Sequence, residues 1–397
     1  MLSVSSVHPS AHAAAHLAAI LALPWIGGSS LAAESPRALA DRLVAPWIAQ
    51  ATASGGKGSA VAPERHPLCV GLVVGLLREA GAEFAGYGVA DPAAGDPPDA
   101  DTLFEIGSIT KVFTSLLLAV SVEADKVRLE DPVRKFLPRG ASPRAQDKKE
   151  IRLIDLATHT SGLPRLPSNL VPTRPQNPYA DYTATLLFQG LPREALQSAP
   201  GTTFAYSNLG AGLLGQAVAQ AWKKPYEDLV LEKIARALGM SSTVFRAAAA
   251  GKLRRAAGFS SPGVPASPWE FSALAGAGAL RSTARDMVRF AAANIGLYEV
   301  KDTRLRDAIE ASHKERFRVD DHLSVGLGWH LLQLDGIDGV KKIDEPLIWH
   351  NGQTGGFHAF LGILKRRKIG VVILANTAVD IDPLALEIIV GLAHASS

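Results

Sequence analysis

The chain has 397 residues, of which 47% are hydrophobic and 20% are charged, and its formal net charge at neutral pH is +3. This composition excludes an intrinsically disordered chain, which combines few apolar residues with a high net charge, and offers no strongly basic field for nucleic acid. The lone cysteine, Cys69, excludes an internal disulfide framework and a zinc site built on paired cysteines. We expect a globular protein without metal, cofactor or nucleic-acid partner.

The first 33 residues resemble a secretory leader. They contain no Asp, Glu, Lys or Arg, and residues 13–26 are apolar apart from His16 and Pro24. This stretch is shorter than the about 20 residues that span a bilayer, and small residues at 30–33 suit cleavage near position 32 or 33. We therefore expect export to the periplasm. Because a basic n-region is missing, an Ala-rich N-terminal extension is the alternative.

Strands are predicted at both ends of the remaining chain and helices in its middle. The expected strands cover 68–77, 83–89, 324–334, 346–350, 357–364 and 369–375. The expected helices cover 108–122, 151–158, 179–190, 209–222, 226–238, 283–296 and 383–394.

This order of elements predicts an α/β (α+β) protein with an inserted helical domain. Residues 34–124 and 261–397 are assigned to the sheet domain and residues 125–260 to the helical domain. No later segment approaches 18 uninterrupted apolar residues, so no membrane span is expected. The basic run at 365–368 lies between two strands and is interpreted as a hairpin turn rather than a nucleic-acid patch.

The pattern Ser-x-x-Lys occurs at two places in the chain, so the pattern alone is weak. Ser54 and Lys57 lie in a glycine-rich loop, where nothing fixes their separation. Ser108 and Lys111 open a predicted helix, on which positions three apart share a face. Free backbone N–H groups and the positive end of the helix dipole lie beside a serine in that position. Taken alone, the pair also fits a helix cap and a solvated lysine.

Two further motifs favour catalysis. Tyr206 and Asn208 form a Tyr-Ser-Asn sequence after a Pro-Gly turn and before a helix rich in small residues. His350 and Gly352 belong to a His-Asn-Gly-Gln sequence that follows an apolar strand, with glycines where another group must approach the backbone closely. In isolation, the first motif also fits a core tyrosine and a helix-capping asparagine.

The three motifs, in this order, resemble those of the serine β-lactamase and penicillin-binding protein superfamily, whose Ser-x-x-Lys element is well defined. The Tyr-Ser-Asn element is similar to that of the class C β-lactamase branch and of D-alanyl-D-alanine carboxypeptidases/endopeptidases related to it. The resemblance covers roughly residues 65–395. It implies a β-lactamase/transpeptidase-like fold, an antiparallel sheet flanked by helices with an inserted helical domain.

The resemblance also implies roles for individual residues. Ser108 would be the acylated nucleophile, activated by Lys111 and Tyr206, and Asn208 would hold Lys111 and the substrate amide. The backbone N–H groups of Ser108 and Gln353 would form the oxyanion hole, and His350 and Gly352 would line the strand beside the substrate. His159 would be structural, and His358 would only line the rim.

The identity of the base stays open at this point. A serine hydroxyl needs a neighbouring base to become nucleophilic, and both lysine and tyrosine are normally protonated at neutral pH. Desolvation would make Lys111 neutral, whereas a charged Lys111 would favour a Tyr206 phenolate. The residue types allow either arrangement.

The third motif departs from the family pattern, and this bears on substrate. Family β-lactamases usually carry Lys-Thr-Gly where this chain has His350, Asn351 and Gly352. The fixed ammonium and the hydroxyl that would grip a substrate carboxylate are replaced, which puts strong β-lactamase activity in doubt. We expect an acyl-enzyme hydrolase acting on β-lactams or on the D-alanyl-D-alanine peptides of peptidoglycan. The alternatives are a carboxylesterase similar to family VIII and a penicillin-binding protein that acylates without turnover.

Overall fold

The computed structural model describes residues 34–48, 69–143, 145, 148–335, 340 and 343–395. The predicted leader at residues 1–33 and the Ser54–Lys57 pair lie outside the described residues. No helix within the described ranges is long and apolar enough to cross a membrane.

The described residues form ten α-helices and twelve strands, numbered here in chain order. The helices are α1 (Pro36–Val44), α2 (Thr110–Glu123), α3 (Leu153–Ala157), α4 (Ala184–Gly190), α5 (Asn208–Trp222), α6 (Tyr226–Val230), α7 (Ala275–Gly278), α8 (Ala284–Asn294), α9 (Thr303–Ser312) and α10 (Asp382–Ala395). The strands are β1 (Gly71–Arg78), β2 (Gly81–Gly88), β3 (Leu103–Glu105), β4 (Phe259–Ser261), β5 (Val264–Pro265), β6 (Arg281–Thr283), β7 (Phe317–Arg318), β8 (Leu323–Val325), β9 (His330–Leu332), β10 (Leu347–Gln353), β11 (His358–Leu364) and β12 (Ile369–Ala375).

Eight strands form one antiparallel sheet in the order β2-β1-β12-β11-β10-β9-β8-β7. Helix α8 covers one face and helices α1 and α10 cover the other. Strands β11 and β12 are therefore buried along their whole length. Burial on both faces explains their nearly continuous apolar sequences, because neither side of the pleat meets water.

The helical part of the molecule is built around α2, in which residues 110–121 are all buried. Helices α5, α7 and α9 pack against it. The ring of Phe113 stacks on Phe290 of α8, with centroids 4.3 Å apart. Helix α2 therefore joins the helical region to the sheet and carries the residues that follow Ser108.

The predicted mixed fold with an antiparallel sheet and flanking helices is confirmed. The basic run at 365–368 is the β11–β12 turn. Cys69 is fully buried beside Ile48, just before β1, and burial raises the pKa of its thiol to about 12.

Several element predictions were wrong in detail. The single strand expected at 324–334 is two strands, β8 and β9, because the chain reverses at residues 326–329, where Gly328 has φ +74°. The helix expected at 226–238 ends as an α-helix at Val230 and continues as a π turn over Leu231–Ala235. Helices α1 and α9 and the short β3–β6 pair were not predicted.

Candidate active site

Ser108 lies in a single turn of 3₁₀ helix, Gly107–Ile109, between strand β3 and helix α2. The sequence prediction of one helix from residue 108 therefore holds from Thr110 onward. Gly107 has φ +48°, and a Cβ there would lie 2.7 Å from the backbone nitrogen of Gln353. Only glycine fits both the backbone conformation and this close approach.

Strand β3 is anchored by a buried ion pair. Glu105 accepts a hydrogen bond from the Arg281 guanidinium of β6 at 3.0 Å, and both side chains are nearly inaccessible to solvent. Arg281 also donates to the carbonyls of Phe245 and Trp269. These contacts fix the backbone two residues before the turn that carries Ser108.

Lys111 points from the first turn of α2 back toward Ser108 and is fully buried. Its Nζ donates hydrogen bonds to Ser108 Oγ at 2.9 Å and to the Ala277 carbonyl of α7 at 2.7 Å. Burial lowers the pKa of Lys111 well below its usual value, and the positive charge of Arg165 lowers it further. Burial therefore favours the neutral form of this amine, and a neutral amine can accept a proton from the serine.

Tyr206 also contacts Ser108, and its hydroxyl is hydrogen bonded to the serine side chain. Its ring centroid is 4.8 Å from Lys111 Nζ. Burial raises the pKa of Tyr206 to about 12, although the hydrogen bond with Ser108 opposes the rise. Because burial disfavours the charged form of each group, the same environment favours a neutral Lys111 and a protonated Tyr206.

His159 holds Tyr206 in place. The two rings lie 4.3 Å apart, and His159 Nδ1 accepts a hydrogen bond from the backbone N–H of Ser207 at 3.1 Å. Burial lowers the pKa of His159 well below its usual value, so it accepts this bond as a neutral imidazole. These contacts fit the structural role that the resemblance implied for His159.

Asn208 is the first residue of α5, whose cap is Ser207: the Ser207 hydroxyl accepts a hydrogen bond from Gly210 N at 2.8 Å. The Asn208 side chain is hydrogen bonded to Tyr179, whereas the Lys111 hydrogen bonds go to Ser108 and Ala277. Asn208 is half-buried, and the described contacts include no hydrogen bond between its side chain and Lys111.

Strand β10 runs through the whole third motif and passes very close to the serine turn. A Cβ on Gly352 would overlap the Ile106 carbonyl oxygen and lie 2.8 Å from Ser108 N. Gly107 approaches Gln353 N equally closely. The missing side chains at these two glycines allow β10 to pass close to the serine turn, beside the backbone nitrogens of Ser108 and Gln353.

His350 is buried on the same face of β10 as Gly352, because alternate strand residues share a face. Its ring stacks on His330 at 4.9 Å and lies 6.2 Å from that of Tyr206. Its Nδ1 donates to the Asn351 carbonyl at 2.5 Å, and its buried Nε2 has no hydrogen-bond partner among the described residues. Burial lowers the pKa of His350 well below its usual value, and the nearby His330 and Lys111 lower it further. The motif therefore offers a neutral imidazole.

Three contributors to the site were missed by the sequence analysis: Arg165, His330 and the Ala277 carbonyl. The exposed Arg165 guanidinium lies 5.2 Å from the Tyr206 ring centroid. Arg165 and His330 are isolated residues in a proline-rich loop and a short strand, and a carbonyl carries no sequence signal at all. No local pattern identifies any of the three.

A family model described as Beta-lactamase matches residues 64–394 of the chain. A β-lactamase from Pseudomonas fluorescens is 28% identical over 331 residues, covering 77% of this chain and 88% of that protein. The D-alanyl-D-alanine-carboxypeptidase/endopeptidase AmpH of Escherichia coli (strain K12) is 29% identical over 303 residues, covering 74% and 76%.

Among solved structures, the D-alanine carboxypeptidase AmpC from Burkholderia cenocepacia superposes with a TM-score of 0.70 at 26% identity. The match covers 89% of this chain and 98% of that one. The similarity therefore extends over the sheet, the helical region and the three motifs together.

Proposed function

The chain belongs to the beta-lactamase family, and on that premise we propose that it is a serine hydrolase that cleaves the amide bond of β-lactams or of D-alanyl-D-alanine peptides through an acyl-enzyme on Ser108. The observation that carries the proposal is the buried Lys111 amine within 2.9 Å of the Ser108 hydroxyl. Relatives that share this family include both β-lactamases and D-alanyl-D-alanine peptidases by name.

Acylation begins when neutral Lys111 takes the proton of Ser108 Oγ as the oxygen attacks the substrate carbonyl carbon. The carbonyl electron pair moves to its oxygen, which receives hydrogen bonds from the N–H groups of Ser108 and Gln353. Tyr206, protonated because of its raised pKa, donates its proton to the leaving nitrogen as the C–N bond breaks. The Lys111 ammonium then returns a proton to the tyrosine oxygen.

Deacylation repeats these steps with water in place of the serine hydroxyl. Lys111 accepts a proton from the attacking water, the ester bond to Ser108 Oγ breaks, and the Lys111 ammonium gives its proton to the serine oxygen. A positioned base of this kind contributes about 10²–10⁴ in rate, and each oxyanion donor about 10²–10³.

Ester hydrolysis is the second candidate, supported by the neutral His350. A motif with a fixed ammonium would attract a substrate carboxylate, but His350 is buried and its pKa is lowered. A small neutral acyl ester needs no such cation. A penicillin-binding protein that acylates without turnover is a third possibility, which the deacylation rate distinguishes from the other two.

The test is to incubate the purified protein with a fluorescent penicillin and to locate the adduct by mass spectrometry. We expect the label on Ser108 and its complete loss in Ser108→Ala. Ser54→Ala is the matched control, because Ser54 belongs to the second Ser-x-x-Lys sequence. Labelling of another residue, or equal labelling of Ser108→Ala, would contradict the proposal.

Substrate class is tested with nitrocefin, a D-Ala-D-Ala peptide and p-nitrophenyl acetate under the same conditions. We expect amide cleavage of at least one of the first two. Ester turnover alone would favour the second candidate, and stable labelling without turnover would favour the third.

We also propose that the protein is exported, since the apolar, uncharged stretch near its N-terminus suits a cleaved leader. N-terminal sequencing of the protein from the periplasmic fraction of an expressing bacterium checks this. A start at residue 33 or 34 supports export, whereas an intact Met1 in the cytoplasmic fraction contradicts it.

A further inference from the structure

A second group of polar side chains lies on the face of β10 opposite to His350. Asn351 projects to this face, and its Nδ2 donates a hydrogen bond to Asp382 Oδ2 at 2.5 Å. His358, the first residue of β11, and Asp380, just before α10, lie beside Asp382. Within the described residues, one potential ligand atom from each of His358, Asp380 and Asp382 falls within 4.8 Å of the others.

Asp382 is the member of the group whose environment is incomplete. The residue is only 5% exposed. Asn351 occupies Oδ2, but the buried Oδ1 has no hydrogen-bond partner among the described residues. A buried carboxylate oxygen without a partner is unfavourable, and the second carboxylate at Asp380 adds repulsion. A bound cation would satisfy both.

The set of donor atoms indicates which cation. One imidazole nitrogen with two carboxylate oxygens suits zinc and similar divalent transition metals. His358 Nε2 lies 3.9 Å from Asp380 Oδ1, and ligand distances of about 2.0–2.2 Å require the three side chains to move inward around the ion. The Asp380 side chain is 38% exposed, which leaves a route for the ion and a place for a coordinated water.

We propose that His358, Asp380 and Asp382 bind one divalent metal ion of the zinc type behind the catalytic strand. This departs from the sequence expectation of a protein without metal, because His358 is 22 residues from Asp380 and no spacing motif links them. Two contacts link the ion to strand β10. His358 pairs with Gln353 across the sheet, and Asn351 donates a hydrogen bond to Asp382. Its role is to position β10 and the Gln353 N–H group.

The proposal is tested by titrating the metal-free full chain with Zn²⁺ in a calorimeter. We expect the wild-type protein to bind one equivalent of Zn²⁺. We expect Asp382→Asn and His358→Ala each to reduce the affinity for Zn²⁺ at least tenfold. The same ion should raise the melting temperature of the wild-type protein by several degrees and leave that of the two variants unchanged.

Asp321→Asn combined with His322→Ala is the matched control, because both residues are exposed neighbours of the same types outside the group. Binding elsewhere, for example by the histidines near the N-terminus, would be retained in every variant. Asp380→Asn changes the half-exposed ligand, and it replaces the other two variants in the titration if a buried substitution prevents folding. Equal Zn²⁺ binding by wild type and all ligand variants, or no binding by the wild type, overturns the proposal.

Discussion

At the residue scale, the same burial acts in opposite directions on the two candidate bases. A lysine loses its charge when it is desolvated, and a tyrosine keeps its proton. The pKa of Lys111 is lowered and that of Tyr206 is raised to about 12. The structure therefore favours Lys111 as the proton acceptor, a choice that the sequence motifs left open.

The buried Lys111 should make stability depend on pH. Between its lowered native pKa and the unfolded value near 10.4, the unfolded chain binds the extra proton at this residue. The unfolding free energy of the wild type, relative to Lys111→Met, should therefore rise with pH across this window by at most about 1.4 kcal/mol per pH unit. Urea unfolding of both proteins from pH 6 to pH 10 measures this difference. A difference that does not change with pH would show that Lys111 stays charged in the native state.

Arg165 should influence both the base and the attraction of anionic substrates. Its positive charge lowers the pKa of Lys111, so Arg165→Gln should raise that pKa and move the acidic limb of the rate profile to higher pH. One exposed charge contributes about 0–1 kcal/mol, which corresponds to a loss of up to about fivefold in kcat/KM for carboxylate-bearing substrates.

The pH profile of p-nitrophenyl acetate hydrolysis isolates the first effect, since this ester is neutral. Arg174→Gln is the control, because Arg174 is also exposed but lies beside Asp181. Identical pH profiles for the wild type and Arg165→Gln would show that Arg165 does not influence the base.

At the element scale, the site depends on how closely strand β10 approaches the turn before α2. The methyl group of Gly352→Ala would overlap the Ile106 carbonyl oxygen, so the strand must move away from Ser108. We expect kcat to fall by about 10²–10³, the effect of losing one oxyanion donor. Acylation by fluorescent penicillin measured in single turnover is the appropriate readout.

Gly370→Ala in strand β12 is the control for this change. The atoms nearest to a Cβ at Gly370 would be side-chain atoms of Leu77 and Ala291, at 3.3 and 3.4 Å. We expect near wild-type acylation from this variant. If Gly352→Ala also acylates at the wild-type rate, β10 does not supply the donor.

The sequence predicted the central strands and longer helices well because their burial produces periodic or continuous apolar patterns. It missed the three-residue strands β3 and β6, which are too short to show any period. Helix α9 was missed although its buried residues Leu305, Ala308, Ile309 and Ser312 follow helical spacing, because charged residues separate them. Such marginal segments become ordered through packing, here against α2.

At the scale of the whole molecule, the helical region and the sheet share one core. A contiguous cluster of buried residues includes Val112 of α2, Leu213 of α5, Phe290 of α8 and Val372 of β12. The proposed division into residues 125–260 and the remainder of the chain therefore describes connectivity more than independent packing.

We expect the molecule to unfold in one cooperative transition for this reason. Far-ultraviolet circular dichroism and tryptophan fluorescence should give coincident urea curves, the usual test of two-state behaviour. Leu213→Ala, which truncates a buried leucine of the helical region, should cost about 2–5 kcal/mol and move both curves together. Two separated transitions, or a shift in only one probe, would show that the two parts fold independently.

The sequence by itself determined the fold class and three motifs, including Ser108, Lys111 and Tyr206, because each is a short pattern of residue types along the chain. The tertiary structure decided in which direction burial shifts the pKa of Lys111 and of Tyr206. It also brought Arg165, His330 and the Ala277 carbonyl to the site and His358 near Asp382. The physical reason is that burial and proximity depend on segments distant in sequence. Lys111, for example, is desolvated where α7 and Tyr206 pack beside it. No pattern within a single segment specifies that environment.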